Sequence, residues 1–520
     1  MSTKKTFFTV PDKESSTSTR HRLESMIGCD GSTVVTCVRT YLDSFDSRIY
    51  KAGAILEELE TDGSLVLNWL SLKNSKSDRA AEIDIRPRFV RDIPPGQLRK
   101  TLMPVMKMRA LLPVVRISSN VQILKVSSKT KKTIARIVIE DNQIQVPGMG
   151  NRQLKTTLYV ESVKGGDKQY RKVVNVLRKE YRQDTMPISL PLRVLAVIDF
   201  EPGYPPKPDL LIAPHMRTDF AVREILRRQF RIIQANETGL KADIDSEYLH
   251  YYRIAVRRTR TALDQIKAVI PEKTLDKFKG EFIWLGKVTS TCRDMDVYLL
   301  KLPEYRKILP RAQRKDIEPL KTYLVRHHKI EHEKLVRILE SERYKEFTRD
   351  WEVFLGMEPS CWGMEASAAQ PVIDVADRVI WHIYRGVVDE GKAINPKSPP
   401  EQLHDLRKSC KKLRYIIEAF KDLYPEKKIV RTLGKLKSLQ KLLGEYQDLH
   451  VQISSLQQFS DNMREEMDES EKTYSAIDKL SAYLSRKQVE IRDKYEKCFD
   501  TFISSHNRKY FRSLFNSNKN

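Results

Sequence analysis

Two matching rows of cationic side chains are the chemically expressive residues of this chain. His250, Arg253, Arg257, Arg260 and Lys267 recur as His404, Arg407, Lys411, Arg414 and Lys421, each 154 residues later. On a helix, each row falls within an arc of roughly 100°. Ala255, Ala262, Leu263 and Ile266 point away from the first row, and Leu406, Leu413, Ile416, Ile417 and Phe420 away from the second. One face of each helix is therefore expected to be core and the other a rail of cations. Like charges at i,i+3 and i,i+4 cost a helix a few tenths of a kcal/mol per pair, and here the cost recurs at matching places. Arginine forks and lysine point charges grip phosphate oxygens, and a histidine donates better when protonated. Asp264 and Glu418 fall on the same rails and are expected to orient neighbouring cations.

Each histidine precedes an aspartate by 44 residues, His250 with Asp294 and His404 with Asp448. A carboxylate does not hold a bare polyanion at neutral pH, so these two are expected to orient a histidine or arginine; a metal ion bound with phosphate is the alternative. Arg293 precedes the first aspartate and Gln447 the second, which breaks the symmetry there. Further cations repeat at helical spacing in the segments upstream. Arg223, Arg227 and Arg231 stand in one, and Arg378, His382 and Arg385 in the other. Helices bearing them along a seam would build a basic channel with pseudo-twofold symmetry, suited to a long, repetitive polyanion.

These residues sit in an internal duplication. From 247 to 297, 14 of 51 residues equal those 154 positions further on, without a gap. Helical periodicity runs from about Asp219 to Phe511, so 213–512 reads as an all-α domain of two duplicated helical-bundle halves, 213–355 and 371–512. Residues 1–183 alternate instead, as expected for an α+β domain with an antiparallel sheet. Strands are expected at Val34–Val38, Ser64–Leu70, Gln122–Val126, Thr133–Ile139 and Leu158–Glu161, and helices at Gln97–Leu112 and Asp167–Tyr181. Turn signals at Asp30-Gly31 and Asp62-Gly63 bound some of these strands. Residues 184–212, with six prolines between Pro187 and Pro208, read as a proline-rich connector.

Composition narrows the classes. The chain has 520 residues, 93 Lys+Arg against 69 Asp+Glu, and a net charge of +24. Such an excess favours encounter with polyanions without dictating a fold. Mean hydropathy is -0.50, and no apolar run reaches the length of a membrane-spanning helix. No secretory leader opens the chain, so a cytoplasmic protein is expected. Six scattered cysteines without a Cys-x-x-Cys pair argue against a disulfide scaffold and a cysteine zinc site. His328-x-x-Glu331-His332 matches a metalloprotease pattern by chance in a polar helix, and no cofactor is expected.

The His-x-x-Arg-x-x-x-Arg/Lys-Arg/Lys-x-Arg pattern, followed by Arg293-Asp294-Met295-Asp296-Val297, resembles the CHAD family of conserved-histidine α-helical domains. The second block is carried by His404-x-x-Arg407, Lys411 to Tyr415, Leu439-Gln440 and Gly444 to Asp448. The resemblance spans about 215–510 and implies a duplicated bundle whose basic cleft binds inorganic polyphosphate, with an association with storage granules. Carried over, the ligand-binding set is His250, Arg253, Arg257, Arg260, His404, Arg407, Lys411 and Arg414. The N-terminal part resembles the CYTH, or triphosphate tunnel, domain through Tyr41 to Tyr50 with Gly53, Asp92 to Gly96, Arg109 to Pro113 and Thr133 to Arg136. It departs from that family where a Glu-x-Glu-x-Lys strand should open the domain, because Lys5-Thr6-Phe7-Phe8-Thr9-Val10 stands there. Ile55-Leu56-Glu57-Glu58 replaces the usual basic pair after the first glycine. Without acids to hold a metal that orients water, this domain is expected to be degenerate, possessing an incomplete tunnel and no catalysis.

Three classes follow: a non-enzymatic polyphosphate binder that organises granules with their associated proteins, a nucleic-acid-binding basic protein, and a metal-dependent triphosphatase. Counterion release lets nucleic acid bind nonspecifically to any such cluster, but base-stacking aromatics are sparse near the rails. Membrane partners are not expected, and the sequence leaves the oligomeric state open.

Overall fold

The computed structural model describes residues 4–11, 13–29, 31–73, 77–127, 133–146, 150–163, 166–205, 211–266, 269–359, 362, 368–466 and 470–516. It forms two compact units, Met1–Pro205 and Pro206–Asn520.

The first unit is one antiparallel sheet of ten strands: β1 (Lys5–Thr9), β2 (Ser32–Asp43), β3 (Ala54–Thr61), β4 (Ser64–Ser71), β5 (Ser77–Glu82), β6 (Leu112–Ser127), β7 (Thr133–Val146), β8 (Gly150–Gln153), β9 (Thr157–Ser162) and β10 (Arg182–Asp184). Their order is β10-β1-β9-β7-β6-β2-β3-β4-β5, with β8 beside β7, and the sheet does not close into a barrel. Period-2 alternation sends Leu124, Ile137, Ile139 and Leu158 to one face, where α1 (Ser16–Ile27) and α4 (Asp167–Glu180) cover them. On the same side α3 (Gln97–Met106) covers Leu42, Leu56 and Leu67, beside the single-turn α2 (Arg48–Lys51). The β3–β4 hairpin turns on Asp62 and Gly63, both with positive φ (48° and 79°), as a two-residue turn demands.

One sequence expectation needs correction here. The helix expected over Gln97–Leu112 ends at Met106, and Leu112 instead opens β6. Lys107 takes a φ of 54°, and the residue before Pro113 is pushed toward extended backbone. Within the proline-rich connector, part of the chain is docked. Its Leu190–Val197 segment is α5, which starts with Pro191 in its first turn and buries Val194 against Tyr41, Ile55, Val115, Ile117 and Ile144 of the sheet's second face.

The second unit is helical. Its first half holds α6 (Thr218–Lys241), α7 (Ser246–Gln265), α8 (Glu272–Val288), α9 (Ser290–Ile308), α10 (Glu318–Glu340) and α11 (Glu342–Gly356). The second holds α12 (Val372–Lys392), α13 (Pro400–Ala419), α14 (Glu426–Glu466), α15 (Glu471–Arg492), α16 (Tyr495–Ile503) and α17 (Ser505–Phe515). The 154-residue offset governs the architecture as well as the sequence, since α6 and α12, α7 and α13, and α8 and α14 begin at equivalent residues. One correspondence is broken: α14 runs uninterrupted where the first half splits into α8 and α9 at Thr289.

Reciprocal backbone bonds mark the pseudo-twofold axis. Thr218 N donates to Gln370 O at 3.0 Å, and its equivalent Val372 N donates to Met216 O at 2.8 Å. Helix α7 packs tightly on α6, where Gly239 lies under the Tyr248 ring so closely that a Cβ would sit 2.1 Å from it. Tyr252 of α7 is fully buried and donates to Tyr344 Oη at 3.1 Å, which in turn donates to Glu237 at 2.7 Å. Among the described residues no helix is long and apolar enough to cross a membrane.

Candidate anion-binding site

The rails are laid down by α7 and α13. The residues expected to face the core do so: Ala255, Ala262, Leu263, Leu406, Leu413, Ile416 and Ile417 are all buried. Burying these faces fixes the rotation of each helix and turns the cations toward one another across the axis. Arg257 and Lys411 occupy equivalent positions in the two halves, and each half sends one into the same cluster. Burial first, and then Arg407, Arg257 and Arg414, drive the Lys411 ammonium down to about 7, against the pull of Asp448. Arg407 is lowered by burial and by Arg257, with Asp448 opposing. Four cations from two helices thus crowd one spot.

Acidic partners hold the edges of this cluster. Asp448 Oδ1 accepts from Arg407 Nη2 at 3.0 Å. Glu418 accepts from Arg258 of the other half at 2.6 Å and from Arg414 at 2.6 Å. Its equivalent Asp264 pairs with Lys279 at 2.7 Å. Asp294 lies among Arg253 and Arg293, which stabilise its charge, although burial raises it. Arg293 itself donates to Ser246 O at 3.0 Å and stands 3.6 Å from Asp296.

The two halves differ in how their first arginine is used. Arg253 Nη1 donates to Gly286 O at 2.9 Å and to Thr289 Oγ1 at 2.6 Å, and Nη2 reaches Ser290 Oγ at 3.4 Å. Burial and then Arg257 lower it to about 10. Among the described residues its equivalent Arg407 keeps a buried Nε without a hydrogen-bond partner, as His404 one turn away does its Nδ1.

Several expected rail members lie elsewhere. Arg227 Nε donates to Leu355 O at 3.0 Å and Arg223 Nη1 to Met357 O at 3.4 Å. Both serve the carbonyl end of α11, where a helix dipole favours cations, and Glu224 stands 3.2 Å from Arg227. Arg231 is half-buried on the same helix. On α12, Arg378 is exposed and bonds Gln370 Oε1 at 2.8 Å, while Arg385 and His382 are exposed. Helix α13 ends at Ala419, so Lys421 leaves the rail on an exposed turn. Lys267 lies outside the described residues. His250 and Arg260 are half-buried on α7, with Arg260 Nη1 over Gly286.

Sequence reading missed Arg258, which ties the halves together through Glu418, and Lys301 of α9. Burial lowers Lys301 and Asp448 opposes the shift, while Lys487 of α15 adds like-charge repulsion. Lys301 has Ser455 at its equivalent position, so the duplication gave no signal for it. The His-x-x-Glu-His segment is structural: His328 Nε2 bonds Asp296 at 3.0 Å and His332 Nε2 donates to Leu240 O at 2.8 Å. Among the described residues no group of ligands could hold a metal ion, and Cys37, Cys292, Cys410 and Cys498 are in no disulfide.

In the sheet unit, one cation on the α5-covered face is already neutralised. Arg39 stands 3.5 Å from Glu57 and 3.3 Å from Glu140, and donates to Ser119 as well. Glu57, from the segment that departs from the tunnel-domain pattern, thus takes up an arginine. Arg193 of α5 donates to Thr157 Oγ1 at 2.6 Å.

Comparison with known proteins bears on the helical unit. Residues 224–457 match the CHAD domain family model. The matched span holds both rails, both aspartates and the α8–α9 junction. The CHAD domain of the plant Ricinus communis is similar at 22% identity over 56% of this chain and 94% of its own, with a TM-score of 0.47. PptA from Streptomyces chartreusis is similar at 15% identity over 55% of this chain and 100% of its own, with a TM-score of 0.44. A Hippeastrum protein with a dominant triphosphatase activity is similar at 11% identity over 38% of this chain and 97% of its own, with a TM-score of 0.26. No curated protein sequence matches significantly.

Proposed function

We propose that the CHAD region binds inorganic polyphosphate along the α7 and α13 rails, without catalysing its turnover, and so attaches the protein to polyphosphate granules. The observation that carries this reading is the crowding of Arg257, Arg407, Lys411 and Arg414, in which the Lys411 ammonium is held down to about 7. A fold gains nothing from gathering like charges there; a chain of phosphates with one negative charge or more per unit would relieve them all at once. The partnerless Nε of Arg407 and Nδ1 of His404 fit the same ligand, because a buried polar atom without a partner costs about 1–3 kcal/mol until something bonds it. Base reading finds no support around these helices, and the pairing of Arg39 with two glutamates supports a sheet unit that does not process triphosphate.

Calorimetry of the full chain with long inorganic polyphosphate near physiological salt tests this, because loose surface attraction is then largely screened. The parent is expected to bind tightly, and Arg257→Ala/Lys411→Ala to lose about two orders of magnitude, or about 2.7 kcal/mol. Circular dichroism should show both folded. Equal binding by both would refute the assignment, and stronger binding of duplex DNA than of polyphosphate would replace it.

A further inference from the structure

We propose that the two halves do not share the ligand equally: His404, Arg407 and Lys411 of the second half, joined by Arg257 of the first, form the phosphate-gripping subsite, while Arg253 is a strut of the fold. This rests on the polyphosphate reading and specifies which side chains hold the chain's phosphates.

The argument starts from the broken correspondence between the halves. In the first half the helix splits at Thr289, and the junction offers Arg253 a carbonyl and two hydroxyls, Gly286 O at 2.9 Å, Thr289 Oγ1 at 2.6 Å and Ser290 Oγ at 3.4 Å. Thr289 Oγ1 also donates to Leu285 O at 2.8 Å, so the hydroxyl is fixed before the arginine arrives. The guanidinium thereby pins α7 to the α8–α9 junction. In the second half Gln440, Leu443 and Gly444 stand at the positions of Gly286, Thr289 and Ser290, and α14 passes through without a break. Both hydroxyls are gone. Arg407 consequently has Asp448 on Nη2 at 3.0 Å, a carboxylate whose side chain is 57% exposed, and a buried Nε with no partner among the described residues.

A fork with an unsatisfied Nε and a solvent-reachable carboxylate on Nη2 can take a phosphate in place of, or beside, that carboxylate, with a small shift of the side chain. His404 lies three residues earlier on the same face, its buried Nδ1 equally without a partner among the described residues. The charged groups facing Lys411 are Arg407 and Arg414 from its own helix, Arg257 from α7 and Asp448 from α14. A bound phosphate would restore the full charge of Lys411 by drawing in a proton. Duplication thus leaves two rails of the same composition, of which one has committed its leading arginine to architecture.

Tripolyphosphate is the probe, being short enough to report on one subsite, with the full chain studied by calorimetry and thermal melting. Arg407→Gln and Arg253→Gln remove the same charge and leave an amide. Arg407→Gln is expected to bind tripolyphosphate at least about tenfold more weakly, or about 1.4 kcal/mol, and to melt at or above the parental temperature. Arg253→Gln should change the affinity less than about threefold while lowering the melting temperature. Repeating the parental titration at pH 8 in buffers of different ionisation enthalpy should reveal proton uptake, retained in Arg253→Gln and lost in Lys411→Met. Equal losses of affinity in the two glutamine variants, with equal melting temperatures, would overturn the inequality. Should Arg253→Gln not fold, Thr289→Val/Ser290→Ala frees Arg253 in a chain that keeps its charge. Unchanged tripolyphosphate affinity then supports the strut, and a marked gain shows Arg253 to be a ligand held in reserve. A parent that binds neither tripolyphosphate nor long chains refutes the polyphosphate reading itself, and the subsite with it.

Discussion

Lys411 is the residue at which electrostatics and the proposed binding meet. Its folded value of about 7 lies below the ordinary 10.5 because burial and three arginines oppose the charge. The unfolded chain therefore binds more protons than the folded one between those values, and stability rises with pH across that window. Below pH 7 the full cost of the charge is present. Lys411→Met should accordingly raise the melting temperature most at pH 6, by the equivalent of about 1–2 kcal/mol, with the advantage shrinking toward pH 10. Melts of parent and variant at both pH values check this, and the same variant should bind polyphosphate more weakly. His328 behaves oppositely, because its bond to Asp296 raises it above 6.5. Its contribution is complete below 6.5 and is lost as pH rises through the folded value. His328→Gln should thus destabilise the chain more at pH 5.5 than at pH 8, as measured by denaturant unfolding.

Close approach of elements explains why the rails keep their register. Gly239 lets α6 and α7 approach until the Tyr248 ring occupies the space of a Cβ. Gly239→Ala therefore drives a methyl into an aromatic ring tied to the α7 core, and should cost about 1–3 kcal/mol, read from chemical denaturation. The first-half rail, borne on α7, should lose polyphosphate affinity with it. Between halves, Glu418 holds Arg258 and Arg414 together at 2.6 Å each. Glu418→Gln adds one net positive charge to the cluster, so it should lower the melting temperature at low salt and tighten polyphosphate binding, both effects fading at high salt. A melting temperature unchanged at low salt would show that this pair is solvated and contributes little.

At the scale of the whole molecule, a net charge of +24 ensures that any polyanion is attracted at low ionic strength. On the proposed reading specificity comes from geometry, through equivalent helices of the duplicated bundle meeting at a shared axis. Affinity for polyphosphate should fall with salt for every variant, while the deficit of Arg257→Ala/Lys411→Ala persists at physiological salt. The sheet unit should release no phosphate from tripolyphosphate with magnesium or manganese in a colorimetric assay of the full chain. Its Arg39 is held between Glu57 and Glu140, and the strand Lys5–Thr9 bears no carboxylate to hold a metal.

Much of this was legible in the sequence because local periodicity and duplication are written residue by residue. The core faces of α7 and α13, the strands of β2, β4, β6, β7 and β9, and the duplication itself follow from spacing alone. So does the composition of the rails, since a cation on the polar arc of a buried helix has few places to go. Only the tertiary structure decided which cations meet. Arg223 and Arg227 had the right type and spacing, yet a helix end in reach claimed them, and carbonyls freed by a distant turn leave no mark in the periodicity of α6. Arg253 and Arg407 stand in equivalent His-x-x-Arg motifs and differ through residues more than 30 positions later, a threonine and a serine in one half against a leucine and a glycine in the other. Helix rotation is set locally by burial, but the partner of a long, flexible side chain is set by whatever the rest of the chain brings within its reach.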